Sequence, residues 1–280
     1  SNRVLLSGLA RLGHEVHVVC WQGDGEADET TGLKVTQIAL GESCGFRCRL
    51  SFPRRALAVA ENMLPDVVLT ATEGLPAALD VGKRVGSPVG VIVRAREHFA
   101  VRRVPPVDRG KHLVKSLLSG RFGPSAIRRA DLIVACSEYL ACQCADVAPD
   151  VPVRVVSPPI DVDFDRGSSG GESVQRVGMI GTRPGKGLEL FEALARRFPE
   201  LEFVSLGHPD LRPGERARCG NRVRFGWSRV EGFLQSDVDV LLVPSTIPES
   251  FGRAAVEGLA YGCLVLASDI GGLPEALGHE

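Results

Sequence analysis

The sequence predicts an α/β protein built from doubly wound parallel sheets in two domains. Three observations carry this. Residues 238–267 read as strand, loop, helix and strand, an order that makes the two strands parallel. Short apolar runs alternate with amphipathic stretches through both halves of the chain. The length, 280 residues, corresponds to about two domains, and the Gly/Ser-rich stretch Gly167–Glu172 reads as a flexible joint.

The elements follow in order. Val4, Leu5, Leu6, Leu9 and Leu12 make an amphipathic helix that stops at Gly13, and Val16, Val18, Val19 and Cys20 make a strand. A doubly wound domain starts with a strand and a Gly-rich turn before its first helix. That beginning is missing, so the chain reads as cut at its amino end. Gly41–Pro53 reads as a loop, Ala56–Leu64 as a helix, Asp66–Ala71 as a strand, Pro76–Val85 as a helix and Val89–Val93 as a buried strand. Asp131–Ala135 and Val153–Val156 read as two more strands, with a helix from about Glu138 between them.

In the second half, Val177–Ile180 runs into Gly181-Thr-Arg-Pro-Gly-Lys-Gly187 and a helix over Leu188–Arg197. This turn is not a Walker loop, which requires Gly where Ile180 stands and Ser or Thr where Gly187 stands, and it lacks the dinucleotide Gly-x-Gly-x-x-Gly pattern. It does bring two cations, Arg183 and Lys186, to a strand-to-helix turn, where charge-assisted bonds can clamp a diphosphate. Leu201–Leu206 reads as a strand ending at Gly207-His208. Val238–Val243 is a buried strand closed by Pro244. A helix from about Gly252 to Tyr261 carries Val256, Leu259 and Ala260 on its apolar face, and Cys263–Ala267 is the last strand.

The loop after Pro244 holds the most informative chemistry. Glu249 and Glu257, with seven residues between them, lie about two turns apart. Ser250, Phe251 and Gly252 offer backbone N–H groups at a helix start, which suits a phosphate. A carboxylate beside such an anion site makes sense when it serves hydroxyls: a ribose diol for Glu257, sugar hydroxyls for Glu249. Taken singly, each acid reads as an ordinary helix-start or solvated residue.

Together, Pro244-Ser245, Glu249-Ser-Phe-Gly252, Glu257 and Ala267-Ser-Asp-Ile-Gly-Gly-Leu-Pro-Glu275 resemble the carboxyl-terminal signature of retaining glycosyltransferases of the family 4-like, group 1 kind. The resemblance implies the GT-B fold, two Rossmann-like domains facing a central cleft. It places an acceptor-side domain over 1–165 and a nucleotide-sugar domain over 172–280. Leu-Ala-Arg-Leu-Gly-His-Glu-Val-His-Val-Val (residues 9–19) resembles that fold's first helix and second strand, and Ser157–Phe164 its interdomain stretch. The chain stops within the helix after Gly271-Gly272, so the carboxyl end also reads as cut.

What the resemblance implies for function is specific. A nucleotide-diphosphate sugar (UDP-, GDP- or ADP-sugar) donates to a hydroxyl of a sugar, lipid-linked or small-molecule acceptor, with retention and with no required cofactor or metal. Arg183 and Lys186 serve the leaving diphosphate, Glu249 the donor sugar and Glu257 the ribose. Gly181, Ser250, Phe251 and Gly252 complete the donor contacts. The Arg94-Ala-Arg-Glu-His98 stretch resembles the family's catalytic-region histidine, with Arg96, Glu97 and His98 as candidates. Thr182 stands where the family has arginine directly after glycine, so Arg183 aligns less closely than Lys186. After Gly207-His208 the family often contacts base or diphosphate. The other readings are a non-catalytic nucleotide-sugar-binding module, an inactive truncated fragment, a phosphorylase or a sugar-nucleotide epimerase.

Composition narrows the partners. A net charge of −1 gives no global nucleic-acid signal, and no apolar run reaches the ~18 residues of a membrane span. Between Arg94 and Arg129 the charge is strongly positive, with Leu113, Val114, Leu117 and Leu118 interleaved. Such a segment can lie on an anionic membrane or, more commonly, pack on its own domain; the expected location is cytoplasmic, peripheral at the inner membrane face in the first case. Of the cysteines, Cys20, Cys136 and Cys263 read as small core residues. Cys44/Cys48 and Cys142/Cys144 fit no common zinc spacing, and reduced thiols are expected.

Overall fold

A computed structural model describes residues 2–21, 34–38, 56–95, 124–160 and 174–278. The chain divides into two compact units, Ser1–Pro159 and Ile160–Glu280.

The first unit opens with helix α1 (Asn2–Arg11) and strand β1 (His17–Trp21), which pairs in parallel with β2 (Lys34–Ile38). Leu12, expected on the apolar face of the first helix, lies just past its end and is exposed. A helix over 56–63 (α2) leads to β3 (Val68–Ala71), α3 (Leu75–Val85) and β4 (Val89–Val93). Gly86 ends α3 in the left-handed region, φ 79°, with its N–H on the Gly82 carbonyl, the usual glycine stop. A short α4 (Pro124–Ile127) precedes β5 (Leu132–Ala135), α5 (Glu138–Val147) and β6 (Val153–Val155). Ser137 starts α5 by accepting the Leu140 N–H at 3.0 Å, a side-chain N-cap. Strands β3, β4, β5 and β6 form a parallel sheet in chain order. The predicted loop 41–53, His98 and the apolar face of the basic segment fall outside the described residues.

The second unit is one six-stranded sheet in the order β12-β11-β7-β8-β10-β9. Its strands are β7 (Arg176–Ile180), β8 (Glu202–Leu206), β9 (Arg216–Cys219), β10 (Arg222–Phe225), β11 (Val240–Val243) and β12 (Leu264–Ala267). Neighbours are parallel except β9, which runs antiparallel to β10. Between them lie α6 (Leu188–Arg197), α7 (Val230–Asp237) and α8 (Arg253–Ala260), and α9 (Leu273–Ala276) follows β12.

Strand alternation explains the two-sided core. Successive side chains of a strand point to opposite faces. Val240 and Leu242 of β11 therefore join Val177, Met179, Phe191 and Phe203 under α6. Leu241 and Val243 join Leu206, Phe233, Leu234 and Ala255 on the other face. Phe191 and Phe203 meet edge to face, ring centroids 5.2 Å apart, a favoured aromatic geometry.

The structure corrects one expectation. The buried side of α8 is Ala255 and Gly258, not Leu259, which is 46% exposed. A Cβ on Gly258 would press on the side chains of Leu241 and Val265. Small residues thus let α8 lie close to the sheet, and Leu259 turns outward. The expected last strand is present as β12, and its Leu264 and Leu266 are 60% and 54% exposed because it is a sheet edge.

Among the described residues, no helix is long and apolar enough to cross a membrane. Cys136, Cys144 and Cys263 are buried while Cys142 is exposed. Burial, with Cys136 nearby, pushes the Cys144 thiol up to about 12, so it behaves as a core residue.

Candidate functional site

The order of the second sheet fixes where a ligand can sit. From β7 the chain moves outward through β8 to β10, then returns to β11 on the other side of β7 and moves outward again to β12. The turn after β7 and the loop after β11 therefore diverge. This is a topological switch point, and ligands of such sheets bind there, outside the carboxyl ends of the strands.

A pocket of about 130 Å³ occupies this position, lined among others by Ile180, Lys186, Pro244, Ser245, Glu249 and Arg253. Two loops build it. The first, 181–187, leaves β7 with the Gly181 N–H on the Leu206 carbonyl at 2.8 Å and the Thr182 hydroxyl donating to the Gly207 carbonyl at 2.9 Å. It ends at Gly187, φ 82°, the residue before α6. A Cβ on Gly187 would run into the carbonyl oxygen of Pro244, so only glycine allows the two loops to approach this closely. The Thr246 N–H then donates to the Gly185 carbonyl at 2.9 Å.

The second loop carries the charges. Lys186 Nζ lies 2.5 Å from Glu249 Oε1, and Ser245 Oγ donates to the same oxygen at 2.5 Å. Lys186 is 35% exposed and Glu249 17%, so the pair sits at the pocket wall rather than on open surface. The backbone of Glu249 is tied as well: it bridges in parallel to Gly271, and its carbonyl accepts the Gly272 N–H at 2.8 Å. Gly252, φ 98°, precedes α8. Glu257, one helix layer further, is paired with Arg253 at 2.7 Å and is 14% exposed.

The structure thus brings Lys186, Glu249 and Gly252 to one pocket. Gly181 and Arg183 lie on the adjoining turn, where Arg183 is exposed. Ser250 and Phe251 lead into α8, and Phe251 is buried. Sequence reading missed Arg253, and named Ser245 in the Pro244-Ser245 motif without giving it a role. The i, i+4 spacing of Arg253 and Glu257 on a helix could have pointed to the first. The second shows only once Pro244-Ser245 and Glu249 fold onto one carboxylate oxygen.

Beside this pocket, β8 ends in a buried polar pair. His208 Nε2 and Ser205 Oγ are 2.8 Å apart, and Asp210 lies 3.8 Å from the other ring nitrogen. Burial and the Arg224 guanidinium push the His208 pKa below the ordinary 6.5, against opposing pulls from Asp210 and Glu192. The fold therefore favours neutral His208, while the unfolded chain takes up its proton at about 6.5. Below that pH the unfolded state binds more protons, so this contribution is whole above about 6.5 and is lost as pH falls toward the depressed folded pKa. Urea midpoints measured from pH 7.5 to 5 should fall toward acid, and His208→Gln should flatten that slope.

Comparison with known proteins agrees with this architecture. Residues 2–164 match the family described as Glycosyltransferase Family 4, and residues 187–280 match Glycosyl transferases group 1. The 2-deoxystreptamine glucosyltransferase of Streptomyces kanamyceticus is 29% identical over 224 residues, 69% of this chain and 56% of that protein. The chain spans a smaller share still, 28%, of a second curated relative. Among solved structures, sucrose-phosphate synthase from Thermosynechococcus elongatus superposes with a TM-score of 0.72 at 16% identity, covering 97% of this chain and 75% of that one. Anabaena HepE, solved with UDP and glucose, superposes at 0.60 with 18% identity, covering 88% and 70%. These structures share the GT-B fold, as expected from the sequence. With a family match over residues 2–164 and a switch-point pocket in the group 1 region, this chain belongs to Glycosyltransferase Family 4.

Proposed function

We propose that this protein transfers a sugar from a nucleoside diphosphate sugar to an acceptor hydroxyl with retention of configuration. The observation that carries the reading is the Lys186–Glu249 pair at the switch-point pocket, 2.5 Å apart. A cation for a diphosphate stands there beside a carboxylate for sugar hydroxyls. The anomeric specificity and the residue roles come from the resemblance of the motifs, and the donor class is supported by relatives whose names or bound ligands are those of sugar transfer.

In this reading the diphosphate lies between Arg183, Lys186 and the N–H groups of Ser250, Phe251 and Gly252. Glu249 accepts hydrogen bonds from the donor sugar, and Glu257 from the ribose. The bond between the anomeric carbon and the diphosphate oxygen breaks as negative charge grows on that oxygen. Lys186 and Arg183 stabilise that charge where it develops. The acceptor oxygen bonds to the anomeric carbon on the same face, and its proton passes to the leaving diphosphate. His98 belongs to the acceptor side of this scheme. The protein works at the cytoplasmic side, and the basic segment Arg94–Arg129 serves a lipid-linked acceptor on an anionic membrane.

The test is nucleoside diphosphate release from UDP-, GDP- and ADP-sugars, with acceptors in solution and on anionic vesicles, followed by NMR of the new anomeric centre. Retention with one donor is the expected result, faster on vesicles if the acceptor is lipid-linked. An inverted product, or release from none of the donors, contradicts the reading.

A further inference from the structure

We propose that Ser245 is a positioning residue of the donor site, holding one oxygen of Glu249 so that the other faces the donor sugar. This rests on the function proposed above. Ser245 follows Pro244 at the carboxyl end of β11 and is 2% exposed. Its hydroxyl donates to Glu249 Oε1 at 2.5 Å, the same oxygen that Lys186 Nζ reaches. A carboxylate only accepts, so the Ser245 proton is committed to Glu249.

Lys186 and Ser245 differ in what happens when a diphosphate arrives. Lys186 lies on the turn after β7, is partly exposed, and has phosphate oxygens as a competing partner. Ser245 also lines the pocket, but it is 2% exposed and its one proton is already donated to Glu249. Its loop is tied by the Thr246 N–H to Gly185, and Glu249 is tied by its backbone to Gly271 and Gly272. As Lys186 turns to the diphosphate, Ser245 is the contact that keeps the carboxylate from rotating. Glu249 Oε2, which has no hydrogen-bond partner among the described residues, is left to accept from a sugar hydroxyl. The serine acts through Glu249 on the sugar, not on the diphosphate.

The inference separates two ligands that differ only in the sugar. Calorimetric titration would compare UDP with UDP-glucose, GDP with GDP-mannose and ADP with ADP-glucose. In Ser245→Ala, affinity for the preferred nucleoside diphosphate should stay within about twofold, showing an intact fold and diphosphate site. Affinity for the matching nucleotide sugar should fall about tenfold, as expected for a lost hydrogen bond to a charged group. In a Glu249→Gln background the same serine replacement should add no further loss, because both changes act on one contact. Equal weakening of both ligands, no weakening of either, or full additivity with Glu249→Gln would each overturn the role of Ser245 and leave the proposed function standing. A wild-type chain that binds none of the six ligands overturns the proposed function and this role with it.

Discussion

Replacing Lys186 by alanine should slow sugar transfer by about 100- to 1,000-fold, the loss typical when one preorganised group facing developing charge is removed. Two effects combine. The leaving diphosphate loses a cation, and Glu249, 17% exposed, loses one of the two donors on its Oε1. Ser245 still holds that oxygen, so the variant should stay folded with a modest stability change. The pair is partly exposed and solvent-screened, which keeps its contribution to folding small. Rate of nucleoside diphosphate release and thermal unfolding, measured on one preparation, separate the two. A near-normal rate in folded Lys186→Ala would remove Lys186 from the chemistry.

Gly187→Ala should damage the site through the backbone. Gly187 has φ 82°, where a side chain costs about 1–2 kcal/mol, and its new Cβ would strike the Pro244 carbonyl oxygen. Backbone cannot swing aside as a long side chain can, so the two loops must separate. The Thr246–Gly185 hydrogen bond and the Lys186–Glu249 contact lie across that seam. The expected outcome is a stability loss of about 2 kcal/mol or more, with nucleotide binding lost as well. Gly214→Ala is the control: Gly214 has the same φ of 82° but open space around its Cβ position, and it lies outside the donor site. It should show the left-handed penalty alone and keep its site. Equal effects in the two variants would mean that the close approach at Pro244 is not what shapes the pocket.

The legibility of this fold followed burial. Val177–Ile180 and Val240–Val243 are apolar on both faces because helices cover both sides of the sheet, so short apolar runs marked them. β9, Arg-Ala-Arg-Cys, carries no such run and escaped notice, since it is an exposed edge strand held by pairing with β10. β2, Lys34–Ile38, was also missed. Leu259 was placed on the wrong side of its helix because leucine outranks glycine in any apolar pattern. The sheet instead required the smallest residue, Gly258, at the close approach.

The candidate site divided along a similar line. Lys186, Glu249 and Gly252, which line one pocket, stood out in the sequence through the several motifs of the resemblance taken together. The partners of Ser245 and Arg253 did not, because each shows in one bond, to Glu249 and to Glu257. The Ser245 bond depends on how the loop after β11 folds back over four residues. The role of Gly187 also depends on contact across strands, since Pro244 lies far from it in the chain and beside it at the switch point.

The central claim is that the switch point between β7 and β11 is a nucleotide-sugar site, and thermal unfolding with UDP, GDP and ADP tests it most directly. A ligand at a hundred times its dissociation constant adds about 2.7 kcal/mol of stability. The account predicts a clear rise in melting temperature with one of the three, reduced or lost in both Lys186→Ala and Glu257→Ala. A folded chain that responds to none of them, or whose response survives both substitutions, would contradict it.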